Sequence, residues 1–116
     1  MILTGDEIKR QIELKNFQIE DFDEARLGPN SYNLRLHPTL LYYDEVTLDA
    51  TKINRSSSIE IPETGLILEP GILYIGMTKE YTKTSGPYVP MIEGRSSIGR
   101  LGIRIHVTAG FGSVPK

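Results

Sequence analysis

One hundred and sixteen residues with a mass of 13.0 kDa set the scale of a single domain over residues 1–116. Thirteen Lys and Arg against fifteen Asp and Glu leave a net charge of -2, which excludes a strongly basic nucleic-acid coat and an acidic disordered tail. The absence of cysteine excludes disulfide frameworks, Cys-ligated zinc and thiol nucleophiles. No apolar run nears the roughly 18 residues of a membrane span. The start MILTGDEIKR meets charge too early for a signal peptide, so a cytoplasmic chain is expected.

Thr4-Gly5-Asp6-Glu7 has the capping-box pattern, with Thr4 as N-cap and Glu7 at the third helical position. Ile8, Ile12 and Leu14 follow at helical spacing and predict a helix ending near Lys15 or Asn16. Phe17-Gln18-Ile19 reads as a short strand, residues 21–26 as an acidic connector, and Leu27-Gly28-Pro29-Asn30 as a turn. Residues 31–36 alternate, with Tyr32, Leu34 and Leu36 on one face, and predict a half-buried strand. Further strands are expected at 40–43, 46–48, 59–61, 65–68, 72–77, 88–93 and 103–108, with loops at 49–58 and 81–87. Pro70-Gly71 suits a type II turn, Pro fixing φ and Gly taking the positive value.

Composition agrees with a β-rich class. Ile occurs 14 times and Ala 3 times, which favours pleated surfaces over helices. Eleven Gly and seven Pro supply many chain reversals, so the fold is expected to be mostly β with one short N-terminal helix. A small β domain has a thin core and exposed edges, which predicts association with neighbouring subunits.

Charge divides unevenly. Residues 1–69 hold 7 basic and 13 acidic side chains, a net of -6, whereas residues 70–116 hold 6 and 2, a net of +4. The cationic part suits a small polyanion. Its basic residues form no long run interleaved with aromatics, so no nucleic-acid polymer is expected as a partner.

The chemistry gathers in Gly94-Arg95-Ser96-Ser97-Ile98-Gly99-Arg100-Leu101-Gly102. Glycines let backbone amides approach a ligand, and serine hydroxyls and arginine forks suit phosphate oxygens. The block lacks the Gly-Lys-Ser/Thr ending of a Walker A loop. Glu93, just before it, reads as a structural or salt-bridging residue. His106 lies in the alternating run Ile103-Arg104-Ile105-His106-Val107 and reads as structural, while His37, before Pro38, reads as surface. Two isolated histidines without cysteine make no zinc set, and no metal site is expected.

This block, followed by His106-Val107-Thr108-Ala109-Gly110, closely resembles the dCTP deaminase branch of the dUTPase-like superfamily. Met1-Ile2-Leu3 with its capped helix, Ser31-Tyr32-Asn33-Leu34-Arg35-Leu36, Leu68-Glu69-Pro70-Gly71 and Val89-Pro90-Met91-Ile92-Glu93 match in the same order. The resemblance implies a distorted β jelly-roll (dUTPase-like), a homotrimer with sites between subunits, and Mg2+ accompanying the nucleotide triphosphate, with no zinc. It implies hydrolytic removal of the 4-amino group of dCTP, giving dUTP and ammonia, within pyrimidine deoxynucleotide metabolism. By position, Arg95, Ser96, Ser97, Ile98, Gly99, Arg100, Ala109 and Ser113 match substrate-binding positions. Ser96 and Arg100 match catalytic positions near the cytosine and its attacking water, and His106 matches a histidine behind them.

The family's general-base glutamate lies in a Thr-Leu-Glu strand downstream of Ala109-Gly110, and the chain as given stops at Lys116, before it and the family's C-terminal strands. Three functions stay open. One is a dCTP deaminase, or a bifunctional relative that goes on to dUMP. Another is a dUTPase-type pyrophosphatase, which needs an aspartate to position water near the α-phosphate, so Ser113 in that neighbourhood counts against it. The last is a non-catalytic nucleotide-binding or assembly module.

Overall fold

A computed structural model of the chain describes residues 1–106 and 108–113. In chain order the elements are α1 (Gly5–Glu13), β1 (Phe17–Ile19), a 3-10 turn (Glu24–Arg26), β2 (Thr39–Tyr43), β3 (Ser56–Glu60), β4 (Tyr74–Ile75), β5 (Thr82–Thr84) and α2 (Ser96–Gly99). All strand pairing is antiparallel, and α1 is the one helix longer than a single turn among the described residues. This is the mostly β architecture expected of a dUTPase-like chain. The chain forms two compact units, one built from residues 1–32 and 81 onward, the other from residues 33–80.

In the first unit the Thr4 hydroxyl accepts the Glu7 amide at 3.3 Å, which starts α1 as the capping pattern predicts. Gln11 is buried on its inner face, and Ile8 and Ile12 are half-buried. The helix ends in a Schellman motif: Asn16 N–H donates to the Gln11 carbonyl at 2.9 Å and Lys15 N–H to Ile12 at 3.0 Å. Lys15 takes the left-handed conformation, φ 63°, that this motif demands at its turning residue. The chain then enters β1, which pairs with β5 so that Gln18 faces Lys83. Phe17 meets Tyr88 edge-on at 5.0 Å, and Phe22 stacks on Tyr32 at 5.2 Å.

In the second unit β2 is central, flanked by β3 and β4. Leu41 faces Ser58 on one side and Ile75 on the other. Leu40, at 5 % exposure, is the buried hydrophobic residue of the described chain, so the core is as thin as the size implies. The Pro70-Gly71 turn forms as read: Gly71 has φ 82°, and Ile72 N–H donates to the Glu69 carbonyl at 3.3 Å.

Several expected strands are not ladders. Residues 31–36 are held by single bridges, Leu27 to Tyr32 and Leu36 to Thr78. Residues 46–48 and 65–68 are unpaired, and Val46 and Ile67 stand exposed. Residues 72–77 contribute only Tyr74 and Ile75. Residues 88–93 and the described part of 103–108 make no strand beyond a bridge at Met91, and Val107 lies outside the described residues. Conversely, β3 begins at Ser56 inside the expected 49–58 loop, and β5 lies inside the expected 81–87 loop.

Candidate functional site

The arginine–serine block opens from a narrow neck. Met91 and Phe111 form an antiparallel bridge, flanked by hydrogen bonds from Ile92 N–H to the Gly110 carbonyl and from Gly112 N–H to the Pro90 carbonyl, each 2.8 Å. Small residues let the neck close. A Cβ on Gly110 would lie 2.8 Å from His106 Nε2, one on Gly112 2.8 Å from Pro90 Cγ, and one on Gly94 2.8 Å from Ile105 Cγ1. All three distances are too short for a carbon contact, so Ala would force a shift at each position.

Within the loop, residues 96–99 wind into the one-turn helix α2 rather than the open loop expected, with Arg95 as its N-cap. The amides of Ile98, Gly99, Arg100, Leu101 and Gly102 donate to carbonyls inside the block. The Ser96 and Ser97 amides make no hydrogen bond among the described residues, as befits the first residues of a helix. Arg95, Ser96, Ser97, Ile98, Gly99 and Arg100 are all exposed. Neither Arg95 nor Arg100 makes an ion pair among the described residues. The loop thus presents guanidinium, hydroxyl and amide donors with no carboxylate among them, a set suited to phosphate oxygens.

Ala109, His106 and Ser113 sit at or beside the neck, whereas His37 belongs to the second unit. Ala109 adopts φ 58°, a left-handed conformation unusual for alanine, immediately before the Gly110 carbonyl that closes the neck. Ser113 is exposed just beyond it. His106 is half-buried with its ring against Gly110, and its Nδ1 is buried without a hydrogen-bond partner among the described residues. His37 is half-buried rather than a free surface residue, its Nδ1 accepting the Thr39 amide at 3.2 Å. Glu93 is exposed and makes no ion pair among the described residues, so the salt bridge considered for it is absent there.

No group of three or more His, Cys, Asp or Glu side chains able to hold a metal ion occurs among the described residues. The block's own oxygen side chains are the Ser96 and Ser97 hydroxyls, with no carboxylate, a weak set for holding a hard cation such as Mg2+ by themselves.

A family profile described as "dCTP deaminase-like" matches residues 2–114. The chain belongs to the dCTP deaminase-like family. Relatives named "dCTP deaminase, dUMP-forming" include one from Clostridium acetobutylicum, 58 % identical over 114 residues, covering 98 % of this chain and 65 % of the relative. A relative of the same name from Cytophaga hutchinsonii is 59 % identical with the same coverage. Another from Leptospira biflexa is 57 % identical, covering 98 % of this chain and 64 % of its own. The chain therefore spans just under two thirds of the length of these family members. No described helix is long and apolar enough to cross a membrane.

Proposed function

We propose that the full-length protein containing these residues is a dCTP deaminase of the dUMP-forming kind. One water replaces the 4-amino group of the cytosine and releases ammonia. A second cleaves the bond between the α- and β-phosphates, leaving dUMP and pyrophosphate. The names of the relatives favour dUMP over dUTP as the end product. The observation that carries the assignment is the exposed block at 94–102, which gathers two arginines and two serines with no acid among them.

In this scheme Arg95, Ser96, Ser97 and the amides around Ile98 and Gly99 hold the phosphates, and Arg100 with Ser96 orients the cytosine and its water. Charge-assisted forks suit this task because each binds two oxygens in a fixed plane. Ala109 presents main-chain groups to the base, and Ser113 lies beside the sugar. Mg2+, bound to the triphosphate, supplies charge neutralisation. The proton taken from the attacking water and returned to the amine needs a carboxylate or comparable base. The family's downstream Thr-Leu-Glu glutamate is the base in this scheme.

The protein is proposed to act as a cytoplasmic homotrimer. Exposed Met91, Leu101, Ile105 and Phe111 around the loop support this, since apolar side chains of that size call for cover.

The test is incubation of the full-length protein with dCTP and Mg2+, with ammonia, pyrophosphate and nucleotides quantified. Equal ammonia, pyrophosphate and dUMP are expected. Accumulation of dUTP without dUMP would reduce the activity to deamination alone. Pyrophosphate from dUTP without ammonia from dCTP would mark a pyrophosphatase, and binding without turnover a non-catalytic module.

A further inference from the structure

Away from the arginine–serine block, the first unit carries a small polar concavity of about 140 Å3 where α1 passes into β1. It is lined by Lys15, Asn16, Gln18, Lys83 and Ser85. Every one of these side chains can donate a hydrogen bond, and none is acidic. Neither lysine forms an ion pair among the described residues, although the chain as a whole carries net charge -2.

The backbone fixes this grouping. Gln18 and Lys83 are directly paired in the β1–β5 ladder, which places their side chains together on one face. Ser85 N–H and Oγ both donate to the Asn16 carbonyl, at 3.0 and 2.9 Å. The Asn16 side chain donates to Gln11 Oε1 at 2.7 Å, and Gln11, 3 % exposed, donates to Glu7 Oε1 at 2.7 Å. Glu7 is in turn held by Arg10 through Nε at 2.8 Å and a second nitrogen at 2.7 Å. The wall at Asn16 is thus anchored through a chain of polar groups reaching back into α1.

Lys15 adds an independent sign. It occupies the left-handed turning position of a Schellman motif, where glycine is strongly preferred and any residue with a Cβ is strained. Its long cationic side chain brings no relief of that strain, yet it joins Lys83 in lining the concavity. Sites that accommodate drug-sized ligands run from roughly 300 to 1,000 Å3, so this one has room for a small ion and not for a nucleoside.

We propose that Lys15, Lys83, Gln18 and Asn16 form a binding site for a single small oxyanion of the phosphate class, separate from the nucleotide block. Two ammonium groups supply charge, and two amides supply neutral donors. Binding there ties the end of α1 to the β1–β5 pair and raises the stability of the first unit by mass action.

The test uses the full-length protein bearing Arg95→Ala and Arg100→Ala, so that the nucleotide block does not compete for the probe. Inorganic phosphate is titrated at constant ionic strength, with chloride as the control, and amide resonances of Asn16, Gln18 and Lys83 are followed by NMR. Saturable shifts with phosphate and none with chloride are expected. Lys83→Gln is expected to weaken phosphate about tenfold or more, the loss of one charge-assisted partner. Lys15→Gly is expected to raise the melting temperature without phosphate while abolishing most of the rise that phosphate produces. Equal shifts with chloride, or unchanged phosphate affinity in both lysine variants, would overturn the site.

Discussion

Glu80 grips Arg35 at two points. Its Oε2 accepts the Arg35 backbone amide at 2.9 Å, and its Oε1 accepts the guanidinium Nε at 2.5 Å. Glu80 is 3 % exposed, and its carbonyl also accepts the Thr78 hydroxyl at 2.9 Å. The Glu80 side chain thus reinforces the backbone hydrogen bonds from Lys79 N–H to the Arg35 carbonyl, 2.8 Å, and from His37 N–H to the Met77 carbonyl, 2.9 Å. The pair sits beside the single bridge Leu36 to Thr78, where few ladder bonds hold the chain.

Removing that grip is expected to cost more than an ordinary surface pair. Breaking a buried pair typically costs about 3–5 kcal/mol, and the partial exposure of Arg35 brings the expectation for Glu80→Gln to about 2–3 kcal/mol. Urea unfolding of Glu80→Gln should show a lower midpoint with an unchanged slope. A change below about 0.5 kcal/mol would show that the pair is energetically idle.

Acid should weaken the fold through two carboxylates. Burial pushes the Glu80 carboxyl up, but its bonds to Arg35 outweigh this and hold it below the ordinary range. The Arg10 fork, aided by Gln11, brings Glu7 down from 4.5 to about 2. A carboxylate that titrates lower in the fold stabilises fully above its unfolded value and loses that stabilisation as pH falls through the folded one. Thermal stability should therefore fall between about pH 4.5 and 2, and Glu7→Gln should flatten that fall. A wild-type profile indifferent to pH across this window would contradict both shifts.

Gly5→Ala sets two effects against each other. Alanine is the better helix former by about 1 kcal/mol. At Gly5, however, its Cβ would lie 2.2 Å from the Gly28 carbonyl oxygen, a backbone atom that cannot swing aside. Overpacking of this kind costs about 1–3 kcal/mol or more, so the steric term wins and the melting temperature should drop. Gly99→Ala, in α2 with nothing within 4 Å of its added Cβ, serves as the control and should not lower stability.

Arg95→Ala and Arg100→Ala should each weaken nucleotide binding by about 1.5–3 kcal/mol, or roughly ten- to 150-fold. Calorimetry with dCTP on the full-length variants reads this directly. Unchanged affinity in both variants would remove the phosphate assignment from the block.

What the sequence discloses depends on whether a feature is local. The Thr4 cap and the Pro70-Gly71 turn are legible because neighbouring residues decide them. Strands are not local, since a strand exists only where a partner supplies hydrogen bonds. Ser56, Ser57 and Ser58 show no apolar alternation, yet they pair with Tyr43, Tyr42 and Leu41. Thr82 and Lys83 look like loop and pair with β1. Ile67 and Val46 look like strand and have no ladder partner. The arginine–serine block is visible in residue types, but its neck is not, because nothing in Pro90 or Gly112 alone announces their 2.8 Å hydrogen bond. The Lys15–Lys83 concavity was hidden likewise, by the distance in sequence between its two cations.

The neck also changes the thermodynamics of whatever the block holds. Residues 93–109 form a segment of 17 residues whose two ends are pinned together by Met91–Phe111 and the hydrogen bonds beside it. Closing a free segment of that length would cost about 2.5 kcal/mol of chain entropy. Here that cost falls on folding and is offset by the neck, so a ligand need not meet it on arrival. Loosening the neck, for example by a bulkier residue at Gly112, should weaken binding without altering any side chain of the arginine–serine block.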